Sequence, residues 1–128
     1  TLTHDPTLGH ITTFGGHPVC CAAGLAAMRY IEEHDLAASA ERMGALYEEL
    51  LRDHPAVKEI RRSGLLLAVE LGSSAKMFRM MELFKEAGIL SDWFLYCDTA
   101  FRISPPLTIT EEEVRDSARL IRECLDRI

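Results

Sequence analysis

No stretch of this chain is both long and apolar enough to cross a bilayer. The longest uninterrupted run of small or apolar residues, 19–28, is too short and too rich in Ala and Gly. No signal-peptide layout opens the sequence, so the expected location is cytoplasmic, with no membrane partner. Basic charge is also scarce: 14 Lys and Arg stand against 20 Asp and Glu, a net charge of −6, and Arg61-Arg62 is the one adjacent basic pair. Without a basic stripe, a nucleic-acid partner is not expected. The four cysteines, Cys20, Cys21, Cys97 and Cys124, form no CxxC spacing, and a vicinal pair on a helix cannot easily bridge to itself. Reduced thiols are expected. His4, His10, His17 and Cys20 fit no standard zinc spacing, so no metal is expected either.

What is present is a domain's worth of material. With 128 residues, 48% of them apolar, the chain can bury roughly two thirds of its unfolded surface. Residues 1–17 read as an irregular lead-in, broken by Pro6, Gly9, Gly15 and Gly16. Pro18 suits the first turn of a helix over 18–34, rich in small residues on every side and read as a buried packing helix. Glu32, Glu33 and Asp35 oppose the dipole at its end and predict a break there. A second helix over 36–53 carries Leu36, Ala40, Met43, Leu46, Tyr47, Leu50 and Leu51 at amphipathic spacing. The runs 57–61 and 65–71 flank Ser63-Gly64 as an antiparallel hairpin. Ser73 or Ser74 can cap a third helix ending near Ala87, with Gly88 at its C′ position and a strand-like Ile89-Leu90 beyond. Short strands over 93–96 and 100–104 follow, and Thr110-Glu111-Glu112-Glu113 is a capping-box start to a last helix reaching 128. The order predicts an α+β (α/β) fold, a small, mainly antiparallel sheet covered by helices.

Two places invite chemistry. Gly9-His10-Ile11-Thr12-Thr13-Phe14-Gly15-Gly16-His17-Pro18 combines glycines that let backbone approach closely with hydroxyls and amides that can donate to an anion. A phosphate or another chain fits such a loop, although read alone Thr13 equally fits a turn threonine bonded to its own backbone. Arg102, between Phe101 and Ile103 and ahead of Pro105-Pro106, must reach water or meet a carboxylate bidentately.

The first of these motifs, continuing into Cys20-Cys21-Ala22-Ala23-Gly24-Leu25-Ala26-Ala27, resembles the segment that follows the Schiff-base lysine in class III aminotransferases, pyridoxal-phosphate enzymes of fold type I. Gly64-Leu65-Leu66-Leu67-Ala68-Val69-Glu70-Leu71 resembles the family's small-domain strand, and the run from Arg102-Ile103-Ser104-Pro105-Pro106-Leu107 to Glu113 resembles its closing strand-to-helix junction. The resemblance implies a C-terminal portion: 1–34 as the end of the cofactor-binding large domain, and 35–128 as the C-terminal small domain. It implies that Thr13, with Thr12 as a weaker neighbour, contacts the phosphate of pyridoxal 5′-phosphate held by the partner subunit of a homodimer. It implies that Arg102 binds the α-carboxylate of an amino-acid substrate. His10 is expected to brace the loop, His17 stands where many members carry asparagine, and Glu70 is expected to be structural. The activity implied for a full-length enzyme is transfer of an amino group between an amino donor and a 2-oxo acid.

Lysine is the telling shortage. Only Lys58, Lys76 and Lys85 are present, none in a family-like context, so these 128 residues alone should be inactive. The chain opens on Thr1 in mid-motif and is read as a piece of a longer protein. A stand-alone, non-catalytic interaction module derived from the small domain, or a mutase or racemase of the same fold, remain alternative readings.

Overall fold

The computed structural model describes residues 12–128. The readings made for His4, His10 and the rest of 1–11 lie outside the described residues. The chain divides into two compact units, Thr1–Asp35 and Leu36–Ile128.

In the first unit, residues 12–17 form consecutive turns: the Gly15 amide donates to the Thr12 carbonyl (3.3 Å) and the His17 amide to the Phe14 carbonyl (3.1 Å). Gly16 has φ +76°, a conformation that suits a residue without Cβ. Helix α1, Pro18–Glu33, then starts on its proline. It ends where the acidic residues predict, with His34 donating from Nδ1 to the Tyr30 carbonyl (3.0 Å) and stacking on the Tyr30 ring. Asp35 turns the chain with φ +47°. None of the α1 residues is buried, so the buried placement expected from its Ala and Gly content is not met among the described residues. Among the described residues, the unit supplies only the 12–17 turns besides the helix, too little surface to cover it.

The second unit is a four-stranded antiparallel sheet with helices on one face. Helix α2, Leu36–Leu51, buries Leu36, Ala40, Gly44, Tyr47 and Leu51, a stripe at steps of three and four. Strands β1, Glu59–Ser63, and β2, Leu66–Glu70, form the expected hairpin, pairing Ser63 with Leu66 across Gly64 and Leu65. The first strand lies two residues later than its predicted 57–61, because the tight turn at Gly64 (φ +54°) sets the register.

Helix α3, Ser74–Glu86, is capped by Ser73 and closes at Gly88 (φ +75°), with the Ile89 amide reaching back to the Phe84 carbonyl (2.8 Å). Ile89 and Leu90 are not a strand: that closing bond uses the Ile89 amide, and Leu90 is exposed. Strand β3 is only Trp93–Phe94, and β4 begins early, at Cys97–Ile103. Leu95 and Tyr96, read as strand residues, form the intervening turn, and Tyr96 is 97% exposed. Helix α4, Glu111–Leu125, opens with the predicted capping box between Thr110 and Glu113.

The strand order is β1-β2-β4-β3. Leu67, Val69, Phe101 and Ile103 face the helices and join Tyr47, Leu51, Phe84, Val114 and Leu125 in one core, in which Phe84 meets Phe101 edge to face. Arg61 and Arg62 show the strand period at work: Arg62 reaches α2 through Glu48 (2.8 Å) and Glu41 (2.5 Å), while Arg61 serves the opposite face. His54, buried in the loop after α2, links its Nε2 to Asp126 (3.0 Å) and accepts the Ala56 amide at Nδ1 (3.2 Å), which fixes the end of α4.

All four cysteines are free. Cys20 and Cys21 are exposed, whereas Cys124 is buried and burial pushes its thiol pKa up. The expected outcome of timed alkylation of this chain at neutral pH is fast reaction at Cys20 and Cys21 and protection of Cys124 until denaturant is added. Mass spectrometry of the alkylated peptides checks this, and equal rates would contradict the packing of α4.

Candidate functional site

Thr12 and Thr13 both lie exposed on the 12–17 turns. Thr12 belongs to the turn itself. Its carbonyl accepts the Gly15 amide, and a Cβ added at Gly15 would stand 2.5 Å from Thr12 Oγ1, so a side chain there would make the Thr12 hydroxyl swing away. Thr13 is different: its hydroxyl makes no side-chain hydrogen bond among the described residues, so the self-bonded turn geometry is not what the structure holds. His17 sits directly before α1 as its N-cap residue and gives no side-chain cap, in keeping with a helix-entry position.

Arg102 is in the second unit, near the end of β4. Its backbone is fixed on both sides: the amide donates to the Asp92 carbonyl (2.8 Å), and the carbonyl accepts from Ser91 Oγ (2.5 Å). It pairs across the sheet with Ala68. Since Leu67, Val69, Phe101 and Ile103 face the helices, alternation puts Arg102 on the open face with Ala68. There it is half-buried, and its guanidinium meets no carboxylate among the described residues. Arg102 also lies on the rim of a cleft of about 690 Å³ that runs between the end of β4, α2 and α4, past Phe84, Pro105 and Ile121. At its floor the Tyr47 hydroxyl donates to Ser117 Oγ (2.6 Å), which donates to the Glu113 carbonyl (2.7 Å). Burial pushes the Tyr47 phenol pKa up and keeps it a donor.

The same open face carries a polar cluster that sequence reasoning did not assemble. Glu70 Oε1 accepts the Gly72 amide (2.9 Å), and Oε2 accepts from Arg61 Nη2 (3.3 Å) and Cys97 Sγ (3.6 Å). Arg61 also pairs with Glu59 (2.6 Å). Burial works to raise the Glu70 pKa, but bonds from Thr99, Gly72, Arg61 and Cys97 outweigh it and hold the carboxyl below its ordinary value. Glu70 is therefore ionised and committed. The missing signal was non-local, since only the β1-β2-β4 register brings residues 61, 70, 97 and 99 together.

A four-stranded antiparallel sheet covered by helices is an α+β arrangement shared with aminotransferases of fold type I. The class-III aminotransferase family model matches residues 3–125, and the chain belongs to that family. It is similar to ornithine aminotransferase 2 of Staphylococcus aureus, 41% identical over 115 residues that cover 88% of this chain and 28% of that protein. Among solved structures, the ornithine aminotransferase of Toxoplasma gondii superimposes with a TM-score of 0.82 at 38% identity, covering 93% of this chain and 29% of that one. Acetylornithine aminotransferase from Elizabethkingia anophelis gives a TM-score of 0.79 at 29% identity, covering 93% and 32%. The chain thus spans less than a third of the length of these relatives. The family's cofactor is pyridoxal 5′-phosphate, and a second structure of the Toxoplasma enzyme, 37% identical with a TM-score of 0.77 and covering 91% of this chain and 29% of that one, is described with partial occupancy of it at the active site.

Proposed function

We propose that this chain is the C-terminal portion of a pyridoxal-phosphate-dependent aminotransferase that moves an amino group from an amino donor to a 2-oxo acid, with an ornithine-type diamino acid as the donor. The observation that carries the reading is Arg102, a strand-end guanidinium anchored through its backbone on both sides and meeting no carboxylate among the described residues. Such a group donates two parallel N–H bonds to a carboxylate and fixes its orientation. The names of the relatives support the choice of donor.

When bound, the cofactor supplies the carbonyl that takes up the amino group and the electron sink for the bond that breaks. The donors in this chain suit its phosphate: the Thr13 hydroxyl, with no side-chain partner among the described residues and followed by Gly15 and Gly16, can donate to an anionic oxygen that approaches the backbone closely. In this reading residues 1–34 end the cofactor-binding domain, residues 35–128 form the small domain, and Thr13 serves the site of the partner subunit in a cytoplasmic homodimer. Lys58, Lys76 and Lys85 are all exposed, one before β1 and two on α3, which supports the inactivity of the 128 residues by themselves.

The test is made on the full-length enzyme. Thr13→Ala should weaken retention of the cofactor by about tenfold, as loss of one charge-assisted hydrogen bond of roughly 1.5 kcal/mol requires. Equilibrium dialysis against pyridoxal phosphate reads this directly, and unchanged retention removes the phosphate role. Assay of the same enzyme with ornithine and a 2-oxo acid tests the donor. Turnover of other amines with no response to ornithine would replace that part of the reading.

A further inference from the structure

The backbone of Arg102 is held from the β3 side of the sheet. In an antiparallel ladder the N–H and C=O of successive residues point alternately to the strands on either side. The Leu71 amide donates to the Thr99 carbonyl (3.0 Å), so along this register Val69 with Phe101 and Leu67 with Ile103 are bonded pairs, and Ala68 with Arg102 is not. The backbone groups of Arg102 therefore turn away from β2 and toward β3, where little strand exists to receive them. β3 is two residues long, and its register with β4 slips between Trp93 and Phe94. The Arg102 amide finds the Asp92 carbonyl (2.8 Å). In a regular pair the Asp92 amide would answer that bond at the Arg102 carbonyl, but the donor there is the Ser91 hydroxyl (2.5 Å). The Asp92 carbonyl lies 3.5 Å from the same hydroxyl, too far to compete for its proton.

We propose that Ser91 is a positioning residue for Arg102: its hydroxyl stands in for a missing ladder bond and sets the peptide from which the substrate-binding guanidinium projects. This rests on the carboxylate role given to Arg102 above. It concerns the backbone, so it does not depend on which acid the guanidinium meets in the whole enzyme. The anchor matters because the strand ends there. Ile103 is the last paired residue of β4, and Pro105 and Pro106 follow with no amide to donate. Ser91 is itself a fixed point, since two residues earlier the Ile89 amide bonds the Phe84 carbonyl (2.8 Å) and ties the segment to the end of α3. Ser91 and Arg102 line the same cleft. A rotation of the peptide at the root of an arginine is carried to its tip, and a two-bond contact with a carboxylate tolerates little misplacement.

The 2-oxo acid is the substrate that reads this, because its carboxylate always neighbours the reacting carbon, whereas a diamino acid can present either amine. In the full-length enzyme, Ser91→Ala should raise KM for the 2-oxo acid by about fivefold with kcat within about twofold, the worth of one ordinary hydrogen bond expressed as lost binding. The inhibition constant of valerate, a carboxylate that cannot react, should rise in parallel. Ser91→Thr keeps the hydroxyl and should stay within about twofold of the parent on both measures. Ser91→Val, of the same shape without the hydroxyl, should behave like Ser91→Ala. Ser91 is exposed, so none of these changes touches the core. Unchanged KM and valerate inhibition in Ser91→Ala overturns the proposal, as does a Ser91→Val enzyme that matches Ser91→Thr. Arg102→Ala separates the two readings. If it leaves KM for the 2-oxo acid and valerate inhibition intact, the carboxylate role of Arg102 is wrong; if it weakens both while Ser91→Ala does not, only the positioning role falls. With Arg102 already removed, Ser91→Ala should change neither value further, and a second rise of the same size would show that the hydroxyl acts on something else.

Discussion

Gly44→Ala should destabilise the 36–128 unit by about 3 kcal/mol, one of the largest losses a single methyl can cause in this chain. The glycine is buried on α2, where the helix crosses the β1–β2 turn, and an added Cβ would lie 1.9 Å from the Gly64 carbonyl oxygen and 2.7 Å from its carbonyl carbon. Both are backbone atoms, so no side chain can swing away to relieve the contact. Either α2 or the hairpin must move, and the hairpin is held by five register pairs while α2 carries Tyr47 and Leu51 into the core. Overpacking of this kind costs about 3 kcal/mol, at the upper end of the usual range, against a total stability of about 5–15 kcal/mol for a domain. Helix propensity works in the opposite direction, since Ala is favoured over Gly by roughly 1 kcal/mol. Gly24→Ala on α1 isolates that effect, because nothing lies within 4 Å of the added Cβ, and it should be neutral or slightly stabilising. Urea denaturation should therefore lower the midpoint of Gly44→Ala and leave that of Gly24→Ala at or above the parent's. Equal midpoints would mean that α2 does not sit on the turn at this distance.

The contrast between those two glycines marks the limit of what the sequence makes legible. Local signals were readable: the capping box at Thr110 and Glu113, the Ser73 cap, Gly88 after α3 and the turn at Gly64 each depend on residues within a few positions of one another. So was the amphipathic stripe of α2, although Gly44 within it reads as a weak helix residue until the hairpin is laid across it. The third and fourth strands were misjudged because Leu95 and Tyr96 are as strand-like as their neighbours, and only pairing of Phe94 with Cys97 turns them into a hairpin tip. Arg102 could be singled out from its apolar neighbours and the following prolines. That it meets no carboxylate among the described residues could not, because which side chains share its face is set by pairing across three strands. Thr13 lies at the intermediate level: its motif is local, but the absence of a self-bond is visible only in the folded turn.

Arg102→Ala in the full-length enzyme should lower kcat/KM for an amino-acid donor by about 30- to 900-fold, equivalent to about 2–4 kcal/mol, the range for truncating one partner of a desolvated charge pair. Most of the change should appear in KM, because the guanidinium holds the carboxylate in both ground and transition states and stands apart from the bond that breaks. Arg102→Lys should recover little of it. A lysine keeps the charge but presents a point donor in place of two parallel N–H groups, and the fixed backbone of β4, pinned by Asp92 and Ser91, leaves it no freedom to readjust. An amine donor without a carboxylate gives the sharpest comparison: wild type and Arg102→Ala should process it at nearly equal kcat/KM, since the missing interaction is absent from both reactions. The spectrum of the bound cofactor should be the same in both proteins, as Arg102 is assigned to substrate alone. A variant that loses the two kinds of donor equally would show that Arg102 supports the fold of the β4 end and has no part in recognising the carboxylate.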